Sequence, residues 1–168
     1  SGRFVMSPFS ATDWMKRAIW SAPPPGPAMM TKSMGLRGCQ SMSKKLARAD
    51  VDGTVHEMDA QELAFPDNYF DTVVSALSTC TFPDPVTAVD EMARVCKPDG
   101  EIRLLEHGRS RVGPIARFQD WRADAHYETA GCRWNQNPRD IVDHADVRVE
   151  SSQRAFLGII TRFEATPL

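Results

Sequence analysis

No two glycines in this chain are separated by a single residue, although it has ten of them. A GxG turn is the usual way for a strand to pass a phosphate or cofactor tail to a helix N-terminus, because glycine lets the backbone come close. The nearest approach, Gly35-Leu-Arg-Gly38, follows no strand pattern. Paired cysteines are lacking too. Cys39, Cys80, Cys96 and Cys132 never form CxxC, which argues against a zinc site and reads as buried or idle thiols in a reducing cytoplasm. No apolar run approaches the roughly 20 residues of a membrane span, and no basic start followed by an apolar stretch marks a secretory signal. The net charge of −2 and pI of about 6.1 leave no basic field for nucleic acid or anionic membrane. Arg109, Arg111, Arg117 and Arg122 interleave with Asp120, Asp124 and Glu128, as on a solvated helix laced with ion pairs.

What remains is an ordinary globular composition. At 168 residues and 42% hydrophobic content there is room for one domain with a real core. The first forty residues differ in texture. Residues 11–20 suit a short helix, and "SAPPPGPAMM" then denies helix and central strand alike. Met29, Met30 and Met34 read as packing. Residues 1–40 are therefore expected to be an atypical N-terminal segment with a Pro-rich linker, and residues 41–168 an α/β domain.

Residues 41–49 have helix formers throughout, and 51–58 suit a short strand. "FDTVVSA" (Phe70–Ala76) is a β-branched strand. Asp84-Pro85 offers a capping carboxylate with proline at the first helical position. Val86, Val89, Met92, Ala93 and Cys96 follow as one apolar stripe. "KPDG" (97–100) reads as a tight turn before a strand at 102–106. Strand, helix, strand with short connections implies parallel pairing. Helices are expected at 115–127 and 137–145. Residues 147–153 and 158–164 then suit an antiparallel pair.

Three stretches in order, "DAQELAFPDNYFDTVVSALSTCTFPDP", "EMARVCKPDGEIRLLEHG" and "GCRWNQNP", resemble the class I S-adenosylmethionine-dependent methyltransferases. They are closest to the small-molecule group of ubiquinone/menaquinone and thiol methyltransferase-like enzymes. The resemblance runs from about residue 41 to the end. It implies a Rossmann-like methyltransferase sheet, mostly parallel with an antiparallel C-terminal strand pair, and S-adenosylmethionine as cofactor. It assigns cofactor binding to Asp59, Ala60 and Gln61 on the adenine side. Ser75, Ala76 and Leu77 would lie along the methionine part. Asp59 is otherwise a loop carboxylate capping the next turn.

The family's glycine-rich first motif has no counterpart, and Gln40 stands where a ribose-binding acid belongs. The sheet is therefore expected to be incomplete and the chain truncated, with Phe70–Ala76 left at a bare edge. Either the N-terminal segment or a second copy must cover it. A homodimer follows, with exchanged N-terminal segments as one form. Methyl transfer rests on positioning and needs no visible dyad, so the catalytic residues stay unknown. His107 is the foremost candidate base, with Glu106, Thr79 and Cys80 behind it. His126, Tyr127 and Trp134 either line an acceptor pocket or, for Trp134 as for Trp121, anchor the core. The implied activity is cytoplasmic methyl transfer to a small, partly apolar acceptor, with no nucleic acid partner. The alternative is a degenerate homologue without catalysis, serving as a dimeric binding or scaffold protein.

Overall fold

The computed structural model describes residues 2–6, 28–29, 56 and 58–168, the first two stretches by backbone alone. The expected elements at 11–20, 41–49 and 51–58, and the methionine cluster apart from the backbone at Met29, lie outside the described residues or largely so.

The strands are β1 (Gly2–Met6), β2 (Ala28–Met29), β3 (Phe70–Ala76), β4 (Cys96–His107), β5 (Val147–Ala155) and β6 (Ile160–Pro167). They form one sheet in the order β2-β1-β3-β4-β6-β5. β2, β1, β3 and β4 pair in parallel, whereas β4–β6 and β6–β5 are antiparallel. The expected C-terminal antiparallel pair is therefore present. β3 is central and buried on both faces, as a strand inside a parallel sheet should be.

The bare edge is not found. β1 lies along β3 in parallel, with Arg3 opposite Thr72, Phe4 opposite Val73, Val5 opposite Val74 and Met6 opposite Ser75. Of the two expected covers, the N-terminal segment takes the place. A homodimer through this strand would first have to displace β1.

α1 (Pro85–Val95) starts where the sequence says. Asp84 Oδ1 accepts from the Val86 and Thr87 amides at 3.1 and 3.2 Å. It buries Ala88, Val89, Met92, Ala93 and Val95. The chain then turns extended at Cys96, which opens β4 rather than closing the helix. "KPDG" is an irregularity inside β4: Phe70 faces Cys96 but Thr72 already faces Glu101, so the intervening residues bulge from the ladder. α2 (Gly113–Ala130) and α3 (Pro138–His144) follow. Asn137 caps α3 through Oδ1, which accepts from the Arg139 amide at 3.3 Å.

The core joins α1 and α3 to the sheet through Phe70, Val73, Val89, Met92, Ile102, Leu104, Ile141 and Phe163. Each full burial of such a side chain contributes about 1.5–3 kcal/mol. α2 differs from expectation: it buries only Ala116 and Gln119, and Trp121 is 74% exposed, so Trp121 is no core anchor. Its apolar side chains do not fall on one stripe that meets the sheet. Among the described residues no helix is long and apolar enough to cross a membrane.

Candidate functional site

Parallel strands carry their following loops to one end of the sheet, beyond the strands' carboxyl ends. β3 ends at Ala76. Leu77 then adopts a left-handed backbone (φ 55°), unusual for a branched residue. Its amide still bonds Leu105 O at 2.7 Å. The turn aims the next two amides at Glu106. Ser78 N and Thr79 N donate to Glu106 Oε2 at 3.0 and 3.2 Å, Thr79 Oγ1 to the same oxygen at 2.9 Å, and Ser75 Oγ to Oε1 at 2.7 Å. Glu106 is fully buried because it continues the alternation of Ile102 and Leu104 on the core-facing side of β4. Burial pushes its carboxyl above the usual range, against the lowering effect of the Ser75 and Thr79 bonds.

One residue on, His107 turns its Nε2 to two thiols. Cys80 Sγ lies 3.5 Å away and Cys132 Sγ 3.3 Å away, and the two sulfurs are 3.0 Å apart. Cys80 comes from the short 3-10 turn Thr79–Thr81. Cys132 comes from the far end of α2, where Gly131 takes a left-handed φ of 63° as the helix cap and releases the chain toward the sheet. The segment after it is fastened down. Arg133 N donates to Cys80 O at 2.9 Å, and Gln136 Nε2 to Thr79 Oγ1 at 3.3 Å. Buried Gln119 donates to Gly108 O and Trp134 O while accepting from Ser110 N. Gly108 allows this approach: a Cβ there would sit 2.4 Å from Gln136 O and Pro138 Cδ.

The thiols are not equivalent. The contacts with Cys80 and then His107 hold Cys132 low against its burial, while the contact with Cys132 and burial push Cys80 up. Burial works against a charged His107, but its bond to Cys132 and the nearby negative groups raise its pKa overall. Such a trio can hold a proton between nitrogen and sulfur, or bind a thiophilic cation.

The other expected site residues gather at the same end. Asp59 is exposed, and its Oδ1 accepts from Gln61 N at 2.9 Å, so it does cap a turn. Ala60 is buried beneath that turn. Gln61 Oε1 accepts from Asp84 N at 2.8 Å, which ties this loop to the loop leaving β3. Ser75 and Ala76 are fully buried and Leu77 half-buried, so this stretch faces the loop region chiefly through Leu77. His126 stacks on Trp134 with ring centroids 4.2 Å apart, and Arg133 lies over the Tyr127 ring at 4.8 Å. Sequence reasoning missed Cys132, Gln119 and Ser78. Only the alternation Ile102, Leu104, Glu106 could have flagged the buried carboxylate strongly. A cleft of about 290 Å³ beside Asn68, Arg94, Pro98 and Leu168 lies at the opposite end of the strands.

The parallel sheet with its reversed last strands, and loops collected past β3 and β4, define a Rossmann-like methyltransferase fold. The profile of the family described as "Methyltransferase domain" matches residues 28–104. The mitochondrial methyltransferase OMS1 of Saccharomyces cerevisiae is 39% identical over 89 residues, 53% of this chain and 19% of the yeast protein. The ubiquinone/menaquinone biosynthesis C-methyltransferase UbiE of Vibrio cholerae is 36% identical over 78 residues, 45% of this chain and 30% of that one. The solved geranyl diphosphate methyltransferase in complex with S-adenosylmethionine superposes with a TM-score of 0.73 at 9% identity, covering 99% of this chain and 78% of that chain, which speaks to the fold alone. Residues 28–104, a little under half of this chain, are thus similar to methyltransferase domains. The matches span about a fifth to a third of the curated relatives' length.

Proposed function

We propose that this chain is an S-adenosylmethionine-dependent methyltransferase acting on a small, partly apolar acceptor. The observation that carries the reading is the 2.8 Å bond from Asp84 N to Gln61, which sets the Asp59–Gln61 turn beside the loop leaving β3. The residues fit an adenine-side role: Asp59 presents an exposed carboxylate over a buried small residue, Ala60. Asp59, Ala60 and Gln61 would hold the adenine side, and the chain at Ser75, Ala76 and Leu77 the methionine side. When bound, the donor supplies an electrophilic methyl group. The protein's part is to orient the acceptor and exclude water. His126, Tyr127 and Trp134 offer an aromatic surface for an apolar acceptor near the same strand ends. A relative that serves ubiquinone/menaquinone biosynthesis supports that acceptor class.

A second reading keeps the fold without catalysis, as a binding or scaffold protein. The lack of any GxG in the chain favours it. Isothermal titration of S-adenosylhomocysteine separates the two. Saturable heat, weakened about tenfold (~1.4 kcal/mol) by Asp59→Ala with an unchanged melting temperature, supports the first. No heat up to millimolar ligand supports the second.

A further inference from the structure

We propose that Cys80, His107 and Cys132 form a binding site for one zinc-class divalent cation, ligated by the two sulfurs and by His107 Nε2. Their three donor atoms lie within 4.8 Å of one another, both cysteines are buried, and neither is in a disulfide. The separations of 3.0, 3.3 and 3.5 Å bracket no bonded pair of sulfurs, since a disulfide needs about 2.05 Å. They come close to the edges of a tetrahedron around zinc. Bond lengths of ~2.3 Å to sulfur and ~2.0 Å to nitrogen give edges of roughly 3.5–3.8 Å. The sulfurs, 3.0 Å apart, need to part by only about 0.8 Å on this estimate. Soft thiolate with imidazole is the donor set that selects zinc over magnesium or calcium.

The chain supplies more than the donors. Three different elements converge: the turn after β3, the last residue of β4, and the cap of α2. The bonds from Arg133 N to Cys80 O and from Gln136 to Thr79 hold the Cys132 segment in place. On binding, the metal displaces the protons held among the two sulfurs and His107 Nε2, which pass to solvent. Three protein ligands leave the fourth tetrahedral position to water or to a donor atom of an acceptor. The proposal stands apart from methyl-donor binding, and its test does not use that ligand.

The test titrates Co²⁺ anaerobically into the reduced, chelator-stripped full chain. Tetrahedral d–d bands with a thiolate-to-cobalt charge-transfer band should saturate at one equivalent and vanish on adding Zn²⁺. Cys132→Ser and His107→Ala, each checked for folding by circular dichroism, should weaken uptake by more than the roughly 10–100-fold that outer-shell changes cost. Cys39→Ser and Cys96→Ser should leave it unchanged. Three outcomes overturn the proposal: no uptake by the reduced wild-type chain, uptake that survives both ligand variants, or a requirement for Cys39.

Discussion

Glu106 is a carboxylate standing where the strand alternation calls for a hydrocarbon. Its cost is offset by donors from Ser75, Ser78 and Thr79, which converge on its two oxygens. Glu106→Gln keeps the shape but turns an amide N–H₂ toward those donors, leaving at least one buried donor without an acceptor. The expected loss is about 2 kcal/mol. Urea unfolding should show a lower midpoint at unchanged slope. An unchanged midpoint would mean that the four donors do not need an ionised acceptor. The turn after β3 would also loosen, since Ser78 and Thr79 are anchored there. Legibility at this scale was uneven. His107 and, behind it, Glu106 are read as candidates from their place at a strand end. Cys132 is not, because no local pattern signals that a helix cap 52 residues from Cys80 returns to the same spot.

At the scale of elements, Arg94 in the last turn of α1 fastens the chain that leads into β3. Its guanidinium bonds both oxygens of Glu91, Asp67 Oδ1, and the carbonyls of Phe65 and Leu63. Arg94→Ala should cost on the order of 2 kcal/mol, since several charge-assisted bonds go together. The pH dependence has a definite sign. The bond from Arg94 holds the Glu91 carboxyl below its usual range, against some desolvation. Stability from this pair is therefore full above the ordinary carboxyl range and is lost as pH falls through the depressed native value. Removing Arg94 ends that depression, so the variant's melting-temperature deficit should be largest above the ordinary carboxyl range and shrink as pH falls, leaving a shallower acid limb. An acid limb that stays put would show that Glu91 is held down by something else. Elements with their own signals were legible: the β-branched run of β3, and Asp84-Pro85 at the head of α1. "KPDG" misled, because turn residues also suit a bulge within a strand. Trp121 misled too, because helical spacing does not say whether a sheet lies beneath.

At the scale of the whole molecule, the sheet is continuous because a short strand from the first residues of the chain completes it. Nothing local marks 2–6 as a strand; it is defined by pairing with β2 and with β3, the latter some seventy residues away. β3 does have a cover, as the sequence implies, but where a homodimer was expected the N-terminal segment of the same chain lies along it. The consequence can be tested through the backbone alone. Val5→Pro removes an amide from β1 and fixes a φ that a strand interior accepts poorly. If β1 is what shields β3, the substitution should open an edge that is apolar on both faces and able to template pairing with another copy. Light scattering should then report a higher mean mass than for the unsubstituted chain at the same concentration, growing with concentration. Hydrogen exchange should speed up at Thr72–Ser75, whose partners Arg3, Phe4, Val5 and Met6 have been disturbed. The β4–β6 ladder on the other side should hold its protection. Unchanged mass together with unchanged exchange at Thr72–Ser75 would mean that β1 is not what protects this strand.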